Sequence, residues 1–306
     1  MNQINAWRFR IPLADPVVLK GKSYATREGV LFERHGVWAE ASPLPGFSKD
    51  SADDVIEAIK GNENQSAAFN FAMCSLNHPI NSPLSVPYNS LLMGNPKEIL
   101  TQAEKCGSSS CQTVKMKIGR NALHQDIELV QNVRQMLAPD IKLRLDANQA
   151  WAFDEAIEFL SATRALDIEY IEEPIRDANQ LEELYSKTGV RYALDETLLH
   201  ETTLTSWPNV TALICKPTIL GGRKFVEKLA ESGKPIVFSS AFESGIGVSH
   251  IVQLAAEFSP EVAAGLDTLD WISDDLLDCS PRKQNGQFLI DGPPVAVTST
   301  LERIEW

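Results

Sequence analysis

The sequence predicts an α/β barrel carrying a smaller α+β lobe, on three observations. From about residue 88, eight short apolar segments alternate with longer helical patterns. The first forty residues and the tail read instead as β structure broken by turns. Several of the alternating segments end on a charged side chain, where barrel enzymes place their sites. A chain of 306 residues accommodates one barrel with a lobe, or two domains.

The N-terminal runs "AWRFRIPL" and "PVVLKGKSYATREGVLFERHGVWAEAS", interrupted by "LADP", "REG" and "RHG", predict an antiparallel meander. A Pro/Gly loop, "SPLPGFSKD", follows. Two helices are expected over 51–61 and 65–77, the first opening on Ser51 with Asp53 and Asp54 in its first turn. The eight apolar segments are "NSLLMG", "TVKMKIG", "KLRLDAN", "EYIEEP", "YALDET", "ALICKP", "PIVFSS" and "VAAGLDT". Helical stretches such as "DIELVQNVRQML" and "GVSHIVQLAAEF" lie between most of them, and the connection near 198–208 carries the faintest helical pattern. Such alternation implies parallel strands with right-handed crossovers. Eight strands suggest a closed (β/α)8-type barrel. A doubly wound open sheet is the alternative, disfavoured by the lack of a Gly-rich dinucleotide fingerprint after the first strand. The tail "QNGQFLIDGPPVAVTSTLERIEW" is expected to return to the meander. Residues 1–87 with 281–306 then form a discontinuous α+β lobe and 88–280 the barrel.

The net charge of −13 argues against a phosphate-backbone binder, so no nucleic-acid partner is expected. It leaves room for small anionic substrates in a locally positive site. No apolar run approaches the roughly 20 residues that span a bilayer. The start, "MNQINAWRFRIPLAD", lacks a signal-peptide core. The expectation is a cytoplasmic protein with no membrane partner. Five scattered cysteines without a C-x-x-C pair suit reduced structural thiols. The histidines (His35, His78, His124, His200, His250) fall at no strand end and read as surface or helix residues.

The strand ends carry the chemistry. In "TVKMKIGR", Lys115 and Lys117 share one face, while Val114, Met116 and Ile118 line the other. Taken alone, that is an ordinary half-exposed strand with its lysines in water. The next strands end on Asp146, on Glu172 and Glu173, and on Asp195, and the one after on Lys216. Equivalent points on adjacent strands lie about 5 Å apart, so the three carboxylates would repel one another. A divalent cation removes that cost, and hard oxygen ligands suit Mg2+ best, with Mn2+ as substitute. Parity puts Arg144 on the face of Asp146, and Glu172 and Glu173 on opposite faces. Polarity alone does not choose between the two glutamates. Structural ion pairs and helix caps explain any one of these residues, but not the whole set, since a buried network that large is costly unless it is used. A bound divalent cation stabilises an enediolate and so makes a proton α to a carboxylate removable. A lysine beside the cation and a second lysine is suited to take that proton. Lys216, across the barrel from the second strand, could flank the substrate's other face.

This set resembles the enolase superfamily, in its muconate-lactonising subgroup; Lys or His bases with Mg2+ are known there. The K-x-K motif is "KMK" at 115–117. The family pattern assigns the metal to Asp146, Glu172 and Asp195, so it selects the first Glu of "EEP", and it makes Lys216 the opposing lysine. The ordered segments "SPLPGFS", "RLDANQAW", "IEEP", "LDET", "CKPTILGG", "FSSAFESGIG" and "GLDTLDW" are most similar to the o-succinylbenzoate synthase family. That resemblance implies a modified TIM barrel, (β/α)7β, with a capping domain built from both termini. It implies a hydro-lyase dehydrating 2-succinyl-6-hydroxy-2,4-cyclohexadiene-1-carboxylate to 2-succinylbenzoate in menaquinone biosynthesis. Lys117 would remove the α proton and help the hydroxyl leave, Lys216 would stabilise the enediolate, and Lys115 and Arg144 would tune the base. Ser239, Ser240 and Gly265, with Arg144, match substrate-binding positions, and "PLPGFS" matches a loop closing the site. The Ala-Phe pair in "FSSAFESG" stands where a related enzyme could carry other residues, so the resemblance does not fix the pocket shape. A monomer is expected.

Two rivals use the same residues. An N-acylamino acid racemase or dipeptide epimerase would use Lys117 and Lys216 as alternating bases. Dipeptide epimerases resemble one another in a D-x-D element at the eighth strand, whereas here Asp267 and Asp270 stand three apart in "LDTLD". A non-catalytic metal- or ligand-binding barrel would have lost a carboxylate or a lysine, and none is missing.

Overall fold

The alternating N-terminal residues form an antiparallel meander of β1 (Asn5–Leu19), β2 (Lys22–Arg34) and β3 (Val37–Ala41). The break expected at "LADP" is not a break. Strand β1 runs through it with a register shift between Pro12 and Val17. A bulge is where a strand tolerates prolines that cannot donate to the ladder. One face of the meander (Val30, Phe32, Ala39, Ala41) packs on α1 (Ala52–Ile59) and α2 (Ala67–Asn77) through Val55, Ala68, Ala72 and Leu76. Helix α1 starts as expected: Ser51 Oγ accepts from Asp54 N at 3.3 Å, and Asp54 Oδ2 accepts from Ser51 N at 2.8 Å. This reciprocal box satisfies two donors that a helix start leaves unpaired.

The computed structural model describes residues 4–61, 66–107, 110–200, 206–299 and 301–306. The expected start of the second helix at 65, and 201–205 of the faint helical connection, lie outside them; Glu196–Leu199 of that connection is a 3-10 turn. The chain divides into two compact units, Met1–Pro87 with Cys215–Glu231 and Phe238–Trp306, and Tyr88–Ile214 with Ser232–Val237. No described helix is long and apolar enough to cross a membrane.

In the first unit the tail returns twice. Strand β14 (Glu302–Arg303) pairs with β1, Trp7 opposite Arg303. A three-stranded sheet joins β4 (Leu84–Pro87) to the hairpin of β12 (Arg282–Gln284) and β13 (Gln287–Ile290). The same unit holds α7 (Pro217–Leu220), α8 (Arg223–Ala230) and α9 (Gly245–Phe258). Helix α9 is apolar nearly all round and accordingly buried, including His250, whose ring nitrogen Nε2 lies 2.8 Å from Trp38 O.

The second unit is the strand–helix alternation. Strands β5 (Ser90–Leu92), β6 (Thr113–Lys117), β7 (Lys142–Asp146), β8 (Ile168–Glu172), β9 (Tyr192–Leu194), β10 (Ala212–Cys215) and β11 (Ile236–Phe238) form one sheet in sequential order; Cys215 and Phe238 belong to the first unit. Pairs from β5 to β10 are parallel. Helices α3 (Pro96–Gly107), α4 (Leu123–Met136), α5 (Phe153–Thr163) and α6 (Leu181–Thr188) touch in succession. Their buried residues recur at helical spacing, as with Leu129, Val130 and Val133 on α4.

The eighth segment expected at "VAAGLDT" is not a strand. Gly265 makes a single bridge to Ser239, and the chain enters a 3-10 turn at Asp267–Trp271, too soon for a ladder to form. The backbone there is still paired: Gly265 N donates to Phe238 O (2.8 Å) and Ala264 N to Pro87 O (2.9 Å).

Candidate active site

Strand β6 resolves the question its two lysines raise. Val114, Met116 and Ile118 are fully buried on one face, and Lys115 and Lys117 leave from the other. Parallel register sets Lys115 beside Arg144, Lys117 beside Asp146, and Asp146 beside Glu172. Three adjacent strands therefore bring two cations and two carboxylates together. Lys115 Nζ lies 2.7 Å from Asp146 Oδ2 and 2.8 and 2.7 Å from the two oxygens of Glu172. Lys117 Nζ lies 2.6 Å from the same Asp146 oxygen and 2.7 Å from Asn148 Oδ1. Both carboxylates are almost wholly shielded from solvent, whereas the Lys117 side chain is 18% exposed.

Burial sharpens the electrostatics. It pushes the Asp146 carboxyl up, but Lys115 and Lys117 outweigh it and hold that carboxyl well below its usual range. Glu172 goes the other way: burial, then the charge of Asp146, lift it well above its usual range against the pull of Lys115. The Lys115 ammonium resists burial because Asp146, Glu172 and Asp195 all favour it, and its pKa is raised well above the ordinary value.

The second Glu of "EEP" has another task. Glu173 faces away from the lysines, with Oε1 accepting from the Asp195 and Thr197 amides (2.7 and 2.8 Å). Its Oε2 accepts from Thr197 Oγ1 and Gln149 Nε2 (2.8 and 2.9 Å). Glu173 therefore fixes the turn after β9 that presents Asp195, and ties it to the turn after β7. That earlier turn is unusual: Asn148 and Gln149 both have positive φ, 45° and 59°. Left-handed backbone costs non-glycine residues on the order of 1 kcal/mol each, and is kept where neighbours enforce it. Here Asn148 N donates to Asp146 Oδ1 (3.0 Å) and Gln149 N to Glu173 O (2.8 Å). Gly119 after β6 presses on this turn, since a Cβ there would lie 2.5 Å from Ala150 Cβ.

Arg144 is buried, with Nε 2.5 Å from Glu169 Oε2 and the guanidinium 5.2 Å from the Tyr170 ring centroid. In the first unit, Lys216 is the N-cap of α7, and its Nζ lies 6.0 Å from the ring centroid of Phe47 in the "SPLPGFS" loop. Ser239 and Ser240 are buried against Gly265, with the Ser240 amide and hydroxyl both donating to Gly265 O (2.8 and 3.1 Å). Sequence reasoning missed Asn148 as a partner of Lys117, Glu173 as the holder of the Asp195 turn, and Glu169 as the partner of Arg144. Asn148 lies two residues past Asp146, and Glu173 was flagged as a strand-end acid that parity set on the face opposite Glu172, without its task being evident.

Among the described residues, no three His, Cys, Asp or Glu side chains are grouped so as to hold a metal ion. The Lys115 ammonium instead stands between Asp146 and Glu172. The donor chemistry nonetheless fits a hard divalent cation. Two shielded carboxylates already converge on one cationic centre, and a third, Asp195, acts on it electrostatically. All are oxygen donors, as Mg2+ requires.

A model of the enolase C-terminal domain-like family matches residues 98–294, and one of the MenC N-terminal domain matches residues 1–79. The o-succinylbenzoate synthase of Pectobacterium atrosepticum is 27% identical over 298 residues, covering 88% of this chain and 91% of that protein. The solved L-Ala-D/L-Glu epimerase of Bacillus subtilis superposes with a TM-score of 0.80 at 20% identity, covering 96% of this chain and 97% of that one. An o-succinylbenzoate synthase of Thermosynechococcus elongatus, complexed with Mg, gives 0.75 at 23% identity, covering 90% and 95%. The structural likenesses establish the fold, an α/β architecture around a parallel sheet, and the first model spans the strands that carry the lysines and carboxylates. By that first model, which matches more than half of its length, the chain belongs to the enolase C-terminal domain-like family.

Proposed function

We infer that this chain is a hydro-lyase converting 2-succinyl-6-hydroxy-2,4-cyclohexadiene-1-carboxylate to 2-succinylbenzoate in menaquinone biosynthesis. The observation that carries it is the convergence of Lys115 and Lys117 on Asp146, with Lys115 also on Glu172, across three strands of one parallel sheet. The o-succinylbenzoate synthase relatives and the MenC-type N-terminal region support the choice of substrate.

In this reading Asp146, Glu172 and Asp195 hold Mg2+, with Mn2+ able to replace it. The cation, when bound, supplies positive charge to the substrate carboxylate and makes its α proton more acidic. Lys117 Nζ takes that proton, then returns a proton to the departing hydroxyl, which leaves as water. Lys216 stabilises the developing negative charge as an ammonium. Lys115 and Arg144 tune the base, Lys115 by holding positive charge against Asp146. Arg144, Ser239, Ser240 and Gly265 bind the substrate. Residues 1–87 and 281–306 form the capping domain and 88–280 a modified (β/α)7β barrel whose last strand position, at Ala264 and Gly265, is held by isolated bridges rather than a ladder, and the enzyme acts as a cytoplasmic monomer.

The superfamily's epimerases share this fold, and the B. subtilis structure is among the neighbours. Asp267 and Asp270, where those enzymes resemble one another in a D-x-D element, are each 2.6 Å from Lys283 Nζ. They are engaged within the protein, which favours the lyase. Incubation in D2O with Mg2+ separates the two readings. The lyase consumes the cyclohexadiene acid and leaves N-acylamino acids and dipeptides without deuterium at their α carbons. Deuterium there, with the cyclohexadiene acid untouched, would replace this reading with the epimerase.

A further inference from the structure

Among the described residues, Arg27 is the largest fully buried side chain, 1% exposed. No carboxylate among them is in ion-pair contact with it. All three of its described hydrogen bonds go to main-chain carbonyls: Nη2 to Ser42 O (2.8 Å), Nη1 to Pro43 O (3.0 Å) and Nε to Phe242 O (3.1 Å). The first two belong to the "SPLPGFS" loop, which carries Phe47. The third belongs to "SSAFES", which begins with Ser239 and Ser240. Phe242 has a φ of 62°, so its carbonyl is delivered from a backbone conformation that a phenylalanine does not adopt unaided.

Two buried carboxylates fasten the same segments from the other side. Glu40 Oε1 accepts from Ser42 Oγ (2.6 Å) and Ser244 N (3.1 Å); Oε2 accepts from Gly247 N (3.0 Å) and from Ser244 Oγ. Gly247 is needed there, since a Cβ would lie 2.7 Å from Glu243 Cβ and 3.0 Å from Glu40 Oε2. Glu243 accepts from Ala241 N and, at 2.6 Å, from Thr218 Oγ1, two residues past Lys216. The charge of Arg27 is balanced by Glu243 and Glu40 without touching either. Three ionisable side chains are thus kept away from solvent, and what they hold in common is the geometry of three segments. A buried group of this kind is costly for stability alone, which argues for a use.

We propose that Arg27 is a positioning residue: through the carbonyls of Ser42, Pro43 and Phe242 it locks the 42–48 loop to the 239–244 segment, and so sets substrate affinity from behind the residues that contact substrate. This rests on the reading of those segments as substrate-binding. Glu40 and Glu243 complete the lock. Lysine cannot replace Arg27, because a single ammonium cannot span three carbonyls that a planar guanidinium reaches together.

The test is Arg27→Lys and Arg27→Met in the full chain with Mg2+. For both variants, KM for the cyclohexadiene acid rises about tenfold or more while kcat stays within about threefold, and Mg2+ affinity is unchanged. Peptides covering 42–48 and 239–244 exchange amide hydrogen about tenfold faster than in the wild type, while peptides covering β7 and β8 keep their protection. If Arg27→Met does not fold, Arg27→Lys and Ser42→Ala carry the same test, the latter with a smaller rise in KM. A folded Arg27→Lys with unchanged KM and unchanged exchange overturns the proposal. So does a loss of kcat that tracks the folded fraction with KM constant, which is the mark of a merely structural role. The exchange measurement needs no substrate. If the wild type is inactive on the cyclohexadiene acid, the functional reading fails, and faster or unchanged exchange still decides the lock.

Discussion

Replacing Lys117 with alanine is expected to lower turnover by roughly 10³- to 10⁴-fold, the upper part of the range for a lost acid–base group, because the same nitrogen serves as base and then as acid. Metal binding should survive. Lys117 Nζ touches Asp146 and Asn148, and the Asp146 carboxylate keeps Lys115 as a partner. Removing one ammonium beside a carboxylate leaves that carboxylate more available to a cation. The measurement is a pair: steady-state turnover, and Mg2+ affinity by calorimetry. Lost turnover with retained affinity supports the assignment. Near-normal turnover would move the base elsewhere, with Lys216 the next candidate.

The second large effect is at Asp146, the carboxylate that both β6 lysines share. Asp146→Asn keeps the shape and an acceptor for the Asn148 amide but removes the charge. Breaking up a buried charge cluster one-sidedly costs several kcal/mol in the general case, and the isosteric amide limits that cost here. The expected outcome is a turnover loss of at least about 10³-fold, together with the loss of any Mg2+-induced rise in Tm. A ligand that binds only the folded state stabilises it by RT ln(1 + [L]/Kd), so the wild type should melt higher as Mg2+ is added and the variant should not. A variant whose Tm still climbs with Mg2+ as the wild type's does would remove Asp146 from the metal set. Comparing Tm values without Mg2+ separates the folding cost from the binding defect.

Much of this arrangement was legible in the sequence because it obeys local rules. Ser51 with Asp54 spells a helix start, and α1 begins there. The alternation in "TVKMKIGR" gives β6 two faces, and neighbouring strands decide which residues the lysines meet. What was not legible depends on tertiary partners. "LADP" reads as a break because prolines cannot join a ladder, yet pairing on both sides carries β1 through as a bulge. "VAAGLDT" reads as a strand by composition, but the turn at Asp267 follows so soon that its pairing is reduced to isolated bridges at Ala264 and Gly265. Glu172 and Glu173 are identical in type and adjacent. Only parity and the turn at Asp195 show that one meets Lys115 while the other bonds to amides. Arg27 was least visible. An arginine in an alternating strand reads as solvent-facing, and its three carbonyl partners come from segments 15 to 215 residues away.

The central claim is that the Lys117–Asp146–Glu172 cluster serves dehydration of the cyclohexadiene acid. Ultraviolet absorbance tests it most directly, with purified protein, Mg2+ and that acid. The account predicts an aromatic product forming in step with substrate loss, abolished by chelation and restored by added Mg2+. No aromatic product at any enzyme concentration, with Mg2+ present and the protein folded, would contradict it.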